Sequence, residues 1–376
     1  MAAAFSSHLP ALQVVLALLA APLCVVLRRP GAAWMIATVI TWALLAIAMV
    51  LLGRVLETGT ITYALGSWPA PWGIEYRIDL ANAFVLVLVT LIGSVVMPYA
   101  RASIPAEIEE PRIYLFYCMY LLNLAGLLGI AITGDVFNLF VFLEISSLSS
   151  YVMISLSRDR RALVAAYRYL IMGTIGATFY IIGVGMMYQV TGTLNMVDLA
   201  TLIPNLTDNR TVMVALAFLC VGLSLKLALF PLHLWLPNAY AYAPSAVSAF
   251  LASTGTKVAV YALARILFTV FGGSGLIDDF GLQELLVVLA VAAMIGGSAV
   301  AIYQSNVKRL LAYSSIAHMG YALMGLAAGT ELGVQAMLIY MAIYVTMNIG
   351  TFAFILSMSR DGQPVTDIAP LNMYSK

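Results

Sequence analysis

The chain has 376 residues, of which 63% are hydrophobic and 9% are charged, and its formal net charge is +1. A soluble domain carries about 25% charged residues, so this composition excludes a water-soluble fold. The balanced charge, without a basic stripe, also excludes a nucleic-acid-binding surface. Long apolar runs separated by short polar breaks instead predict an all-α polytopic membrane protein.

Eleven apolar runs follow one another along the chain, and each is long enough to predict a membrane-spanning helix. The runs occupy residues 10–27, 32–53, 80–99, 113–133, 135–156, 164–190, 211–237, 245–270, 283–303, 308–327 and 333–358. The first run has no basic segment before it, so we expect a retained span rather than a cleaved signal peptide. The seventh run contains Pro231 and Pro237, which predict a broken helix.

The basic residues predict how the chain is oriented in the membrane. With the N-terminus outside and the C-terminus in the cytoplasm, only Arg54, Arg77 and Arg210 fall on the outer side. Twelve of the 18 Lys and Arg residues then lie on the cytoplasmic side, namely Arg28, Arg29, Arg101, Arg112, Arg158, Arg160, Arg161, Arg168, Lys308, Arg309, Arg360 and Lys376. This bias follows the positive-inside rule and supports that orientation. We expect a multi-pass protein of the plasma (inner) membrane.

Four ionisable residues lie near the centres of predicted spans, where one charge costs about 2.5–3.5 kcal/mol on insertion scales. They are Glu144 in the fifth span, Lys226 in the seventh, Lys257 in the eighth and His318 in the tenth. Their common depth predicts a hydrated row of titrating groups that moves protons through the bilayer.

Other polar residues share a helix face with these groups, because residues three, four or seven apart lie on one side of a helix. The supporting set comprises Ser147, Tyr151, Ser253, Thr254, Ser314 and Ser315, together with Pro231 and His233 in the predicted break. We expect their hydroxyl groups and the broken backbone to hold water.

A structural interpretation competes with this one. Glu144 and Lys226 would then form a buried ion pair that only fixes helix packing. That interpretation leaves Lys257 without a carboxylate, because Glu144 is the only acidic residue near a span centre. For His318 and His233, a hydrogen-bonded core role is as consistent with the sequence as a functional role.

The remaining charged residues in or near spans have simpler expectations. Arg265 is expected to extend from the end of the eighth span towards the interface. Asp79, Asp135 and Glu284 stand at span starts, where helix capping or an interface position is expected. No Walker A loop and no Cys or His cluster for iron–sulfur, haem or another metal occurs, so we expect no cofactor and no catalysis by the chain alone.

Three segments, residues 134–144, 223–245 and 306–321, resemble in order the signature motifs of antiporter-like proton-translocating subunits. These subunits occur in complex I (as its L, M and N subunits), in Mrp-type Na⁺/H⁺ antiporters (as their A and D subunits) and in membrane-bound hydrogenases. The resemblance covers roughly residues 75–360. Residues 166–170 and 191–196 are most similar to the D-type Mrp protein, with the N-type protein of complex I as the near neighbour.

The resemblance implies that Glu144 pairs with Lys226 and that Lys257 continues the proton path. It also implies two inverted repeats of five helices, each with a broken helix. The expected division is residues 1–112 for three N-terminal helices, 113–270 for the first repeat, and 271–376 for an incomplete second repeat with a short cytoplasmic tail. The family's second repeat has a broken twelfth helix with a central charge, so we expect this repeat to be truncated here.

The predicted function is therefore that of a membrane subunit similar to the D-type Mrp protein, which moves protons in exchange for a monovalent cation. The alternatives are a proton-pumping N-type chain of NADH-quinone oxidoreductase or of a membrane-bound hydrogenase, and a truncated scaffold that moves no ion. Expected partners are other membrane subunits, the lipid bilayer and protons, with Na⁺ or K⁺ left open. Any NADH or quinone chemistry would lie in partner subunits.

Overall fold

A computed structural model describes residues 6–360, 363–364 and 367–368 of the chain. Lys376, one of the basic residues assigned to the cytoplasmic side, lies outside these described residues. Within them, eleven helices are long and apolar enough to cross a membrane. The predicted all-α bundle of eleven spans is confirmed.

The helices match the predicted runs closely, with short helices added between them. In chain order they are α1 (Leu9–Leu27), α2 (Pro30–Thr58), α3 (Leu80–Glu107), α4 (Ile113–Ile132), α5 (Val136–Ser155), α6 (Arg161–Thr191), α7 (Met196–Leu202), α8 (Arg210–Leu227), α9 (Leu236–Tyr242), α10 (Ser245–Ala264), α11 (Leu276–Asp279), α12 (Leu282–Ile302), α13 (Val307–Ala327) and α14 (Glu331–Ser357). A π-helical segment, Arg265–Val270, extends α10.

Little of the described chain is extended. Strands β1 (Ile61–Ala64) and β2 (Glu75–Ile78) form an antiparallel hairpin between α2 and α3, with Ile61 opposite Ile78. Strands β3 (Ser359–Arg360) and β4 (Gln363–Pro364) pair after α14. Turns of 3₁₀-helix occupy Leu65–Ser67, Glu110–Arg112 and Ile203–Asn205.

Polar side chains begin several helices by satisfying backbone N–H groups that have no partner inside the helix. Asp79 forms a capping box at the start of α3, Asp135 caps α5, and Asn306 caps α13. Glu284 lies in the first turn of α12, where its charge favours the helix N-terminus, but it forms no cap.

The seventh span is broken, as its prolines predict. Helix α8 ends at Leu227, Ala228 adopts a left-handed backbone conformation with φ 57°, and the chain becomes helical again at α9. The indole N–H of Trp235 donates a hydrogen bond of 3.0 Å to the carbonyl of Leu225 and so satisfies an acceptor near the broken end. Lys226 therefore stands in the last turn before irregular backbone.

Helix α10 runs through the centre of the bundle. In an 18-residue stretch of its span, Ser245–Val270, 94% of residues are buried, against 22% for α12. It packs against α3, α4, α8, α13 and α14. Lys257 is therefore carried by the most enclosed span of the described chain. The division into repeats at residues 112 and 270 stays a prediction.

Helices α6 and α8 approach each other closely at two glycines. A Cβ atom added to Gly222 would lie 2.7 Å from the carbonyl oxygen of Gly176, a distance that only glycine tolerates. Gly222 is one helical turn before Lys226. The close approach therefore fixes the helix that presents this lysine.

Candidate functional site

Glu144 on α5 and Lys226 on α8 form an ion pair inside the bundle. The Nζ atom of Lys226 lies 3.5 Å from Oε1 of Glu144, and the side chains are 6% and 24% exposed, respectively. Lys226 also donates a hydrogen bond to the hydroxyl of Ser147, one turn after Glu144. The lysine is thus held by one carboxylate and one hydroxyl, while the carboxylate keeps partial access to the surface.

A cavity of about 30 Å³ lies beside this pair. Ser147 and Lys226 line it at one side, and Thr256 and Gly255 of α10 line it at another. One water molecule needs about 10–15 Å³ of such space, so the cavity has room for about two waters. It is the connection between the lysine of α8 and the helix of Lys257.

Asn123 of α4 supplies a fixed polar part of the cavity wall. Its amide N–H₂ group donates to the carbonyl of Ser146 at 2.5 Å and to the hydroxyl of Ser150 at 2.6 Å. Its Oδ1 atom is buried and has no hydrogen-bond partner among the described residues. A buried acceptor of this kind favours a bound water, because leaving it unsatisfied costs about 1–3 kcal/mol.

Lys257 on α10 has neutral partners only. Its Nζ atom donates to the carbonyl of Ala252 at 2.5 Å and to the hydroxyl of Thr256 at 3.2 Å. No ion pair in the described part of the chain includes Lys257. Because Thr256 also lines the cavity, one hydroxyl separates Lys257 from the space that reaches Lys226.

His318 on α13 is joined to Lys257 through the aromatic ring of Tyr344 on α14. Its imidazole stacks on the ring of Tyr344 with centroids 4.2 Å apart, and the Nζ atom of Lys257 lies 4.2 Å from the centroid of the same ring. The Nδ1 atom of His318 lies 2.6 Å from the hydroxyl oxygen of Tyr340. The structure therefore brings four of the predicted groups, Glu144, Lys226, Lys257 and His318, into one set: the cavity lies between Lys226 and the hydroxyl partner of Lys257, and Tyr344 contacts both Lys257 and His318.

Three of the predicted supporting residues join this set. Ser147 binds Lys226, Ser315 pairs with the hydroxyl of Tyr344 at 2.6 Å, and Ser253 accepts a bond of 3.4 Å from the amide of Asn348. They contact the lysine, ring and amide side chains of neighbouring helices.

Other predicted supporting residues stay outside the set. The hydroxyl of Thr254 donates to the carbonyl of Phe250 on its own helix at 2.7 Å. No hydrogen bond of the half-buried Ser314 is found among the described residues, and the buried hydroxyl of Tyr151 has no such partner either. Pro231 is exposed in the break.

His233 lies in the break but away from the cavity between the lysines. Its ring stacks on Phe230 at 5.2 Å and meets the edge of Tyr313 on α13 at 6.3 Å. Its Nδ1 atom is buried without a hydrogen-bond partner in the described chain. The contacts of His233 thus connect the broken segment to α13 rather than to Lys226.

Arg265 differs from the expectation that it extends to the interface. It forms an ion pair with Asp79, and its Nε atom donates to the hydroxyl of Tyr261 at 2.7 Å. Its side chain is 19% exposed. A partner at the start of α3 satisfies the guanidinium inside the bundle, so the side chain has no need to reach water.

Several residues of the site were not predicted from the rule that residues three, four or seven apart share a helix face. Thr256 is adjacent to Lys257 in sequence and therefore falls on another face of an ideal helix, although the flexible lysine reaches it. Tyr344 and Asn348 lie four residues apart on the eleventh span, which carries no charged centre to mark them. Asn123 is a lone amide in an apolar run, and that alone was a usable signal.

The sequence matches a family profile described as "NADH:quinone oxidoreductase/Mrp antiporter, TM" over residues 133–376. NADH-quinone oxidoreductase subunit N of Desulforudis audaxviator (strain MP104C) is 43% identical over 354 residues, which are 92% of this chain and 69% of that protein. The D subunit of the Na⁺/H⁺ antiporter of Alkalihalophilus pseudofirmus is 33% identical over 311 residues, 83% of this chain and 62% of that protein.

Solved structures agree with this assignment. The membrane-bound sulfane sulfur reductase, an archaeal respiratory membrane complex, contains a chain with a TM-score of 0.85 and 31% identity, covering 93% of this chain and 70% of that one. The Mrp complex from Dietzia sp. DQ12-45-1b gives a TM-score of 0.83 and 27% identity, with 93% and 64% covered.

The chain spans only part of the curated relatives that it matches, from 53% of the Rhodobacter capsulatus subunit N to 69% of the Desulforudis one. The family profile nevertheless covers more than half of this chain. The resemblance found in three sequence motifs is confirmed. The chain belongs to the family of NADH:quinone oxidoreductase and Mrp antiporter transmembrane subunits.

Proposed function

We propose that this chain is a proton-translocating membrane subunit and that protons pass from Lys226 to Lys257 through the water cavity between α8 and α10. One observation supports this proposal: Lys226 and its partner Ser147 line the same cavity as Thr256, the hydrogen-bond partner of Lys257. A continuous set of donors and acceptors is what proton transfer through water requires.

The Glu144–Lys226 pair would set when the proton moves. A carboxylate 3.5 Å from the ammonium stabilises the protonated lysine. Protonation of Glu144, or its displacement by movement of a neighbouring subunit, removes that stabilisation. Lys226 then releases its proton to cavity water, and Ser147 holds the donor atom against the cavity.

Lys257 would be the next proton carrier. A proton entering the cavity reaches the hydroxyl of Thr256, which accepts a hydrogen bond from Lys257. A neutral Lys257 accepts it, and the proton already held by a charged Lys257 must first leave towards His318. The burial of Lys257 without a carboxylate supports this role, because such a lysine exchanges its proton readily.

The chain would act within an assembly of other membrane subunits, in one of two types of complex. The 43% identity to an N-type relative, against 33% to a D-type relative, favours an assembly of the NADH-quinone oxidoreductase type. The identity to the D-type relative, together with the fold match to a chain of the Mrp complex with a TM-score of 0.83, supports the role of a D-type Mrp protein, in which Na⁺ or K⁺ is exchanged for protons.

We place the N-terminus outside and the C-terminus in the cytoplasm of the plasma membrane. An odd number of spans puts the two termini on opposite sides, and the basic residues between α5 and α6 and at the start of α6 belong to the cytoplasmic side. We keep residues 113–270 as the first repeat, because they hold the ion pair, the break and Lys257.

The experiment uses the full chain assembled with its natural membrane subunits in inside-out vesicles. The proton gradient is followed with a pH-sensitive dye after a pulse of Na⁺ or K⁺, and separately after NADH. Glu144→Gln and Lys226→Ala are expected to abolish proton movement while assembly is retained. Glu284→Gln removes an exposed carboxylate and serves as the matched control.

The two types of complex give different results in this experiment. Proton movement driven by the cation pulse supports the antiporter assembly, whereas movement driven by NADH alone supports the oxidoreductase assembly. Normal proton movement in the Glu144→Gln and Lys226→Ala variants would refute the proton path and leave the scaffold alternative.

A further inference from the structure

Helix α14 presents three polar side chains to the centre of the bundle. Tyr340, Tyr344 and Asn348 are spaced four residues apart and therefore lie on one helix face. Tyr340 contacts His318 on α13, and Asn348 donates to Ser253 on α10. This face thus connects the helix of Lys257 with the helix of His318.

Tyr344 is the middle residue of that face and contacts both ionisable groups. Lys257 Nζ lies 4.2 Å from the centroid of its ring, and the His318 ring is stacked on it at 4.2 Å with an interplanar angle of 28°. The side chain is 3% exposed. Its hydroxyl pairs with Ser315 at 2.6 Å, which fixes the plane of the ring.

The ring supplies what the surroundings of Lys257 lack. An ammonium ion buried among neutral groups is expensive, and the partners of Lys257 are one carbonyl and one hydroxyl. The face of an aromatic ring carries negative electrostatic potential and attracts a cation, most strongly where water is excluded. A leucine would fill only part of the same space and supply none of this attraction.

We propose that Tyr344 is a positioning residue of the proton path, whose aromatic ring holds the charged form of Lys257 beside His318. This inference rests on the proposed proton path and adds a residue to it. The ring is the required part, and the hydroxyl only orients it. His318, oriented in turn by Tyr340, stacks on the same ring and would be the next group to receive the proton from Lys257.

The test varies the electron density of the ring at constant shape. In the assembled complex, Tyr344 is replaced by Phe and then by singly, doubly and triply fluorinated phenylalanine, and proton movement is measured in inside-out vesicles. Fluorination weakens the attraction of the ring for a cation without removing its bulk. A residue that serves packing alone would respond equally to all four side chains.

We expect Tyr344→Phe to keep most of the activity and the rate to fall with each fluorine, by at least about tenfold in the triply fluorinated variant, equivalent to about 1.4 kcal/mol. The rate of Tyr344→Leu should be no higher than that of the triply fluorinated variant. Tyr321→Leu is the control, since Tyr321 also lies near His318 but is 48% exposed and has no contact with Lys257.

A rate that does not change across the fluorinated series would overturn this proposal, as would complete loss in Tyr344→Phe. If Glu144→Gln and Lys226→Ala are inactive in the same membranes, the proton path itself still stands. If those two variants are active, the proton path has failed and the role of Tyr344 falls with it.

Discussion

The hydroxyl oxygen of Thr256 lies 3.2 Å from the ammonium nitrogen of Lys257 and also lines the cavity that reaches Lys226. Thr254, two residues earlier, is equally buried, but its hydroxyl is bonded to the backbone of its own helix. On the proposed path, Thr256 would therefore pass a proton to Lys257, and Thr254 would not. Comparing the two threonines therefore tests whether a specific proton path exists or whether the region is only generally polar.

Thr256→Val is expected to slow proton movement by about tenfold, because the variant keeps the shape and loses the hydroxyl. Thr254→Val should leave the rate within about twofold of the wild type, since losing one bond within a helix breaks no connection. Both rates are measured in inside-out vesicles with equal amounts of assembled protein. Equal rates in the two variants would show that the hydroxyl of Thr256 is not on the path.

Variants of the Glu144–Lys226 ion pair test whether the pair serves proton movement or only helix packing. Lys226→Met should lower the thermal stability of the solubilised complex, because it leaves a partly buried carboxylate unpaired, at a cost of at most about 3–5 kcal/mol. Adding Glu144→Gln should restore most of that stability, since neither charge then remains. Proton movement should be absent in both variants. A double variant that regains proton movement along with stability would mean that the pair only fixes packing.

Because α6 and α8 approach each other closely at Gly222, alanine should destabilise the complex there but not at a glycine outside the contact. Gly222→Ala should destabilise the complex by about 1–3 kcal/mol, because the added Cβ meets backbone atoms of Gly176 and Tyr180. Gly185→Ala on α6 meets no atom within 4 Å and should be neutral or slightly stabilising. Thermal unfolding measures both. Similar melting temperatures for the two variants would contradict the described contact.

The orientation predicts which loops face the cytoplasm. In a variant without native cysteines, a membrane-impermeant thiol reagent should label Arg160→Cys only in inside-out vesicles and Asn205→Cys only in right-side-out vesicles. Both positions are exposed in the structure, so access depends on the side of the membrane alone. The reverse labelling pattern would place the N-terminus in the cytoplasm.

The sequence was sufficient for the spans, for the break and for the pairing of Glu144 with Lys226. Span length follows from bilayer thickness, a proline removes a helix hydrogen bond and so favours a break, and the three motifs identified the family. The residues around Lys257 could not be predicted from the sequence. Helical periodicity says which residues share a face, but not which residue of another helix lies opposite. Tyr344 is 87 positions away in the sequence, and its contact with Lys257 depends on how α10 and α14 pack.

Arg265 illustrates the same limit. Its position at the end of an apolar run suggested a side chain that extends to water, and only the folded chain brings Asp79 within reach. Thr256 shows the same limit within one helix. The flexible side chain of Lys257 reaches this neighbour, which ideal helix geometry places on another face.

The cavity itself can be tested most directly at Gly255, which lines it and has no other atom within 4 Å of an added Cβ. Gly255→Val would fill the space with methyl groups and leave both lysines and all their hydrogen-bond partners in place. Gly350→Ala on α14, which likewise meets no atom within 4 Å, controls for the effect of replacing a helical glycine. The measurement is the initial rate of proton movement in inside-out vesicles per amount of assembled complex. A rate at least about tenfold lower in Gly255→Val, with an unchanged melting temperature, is the predicted result, and a wild-type rate in that variant would contradict a water path between Lys226 and Lys257.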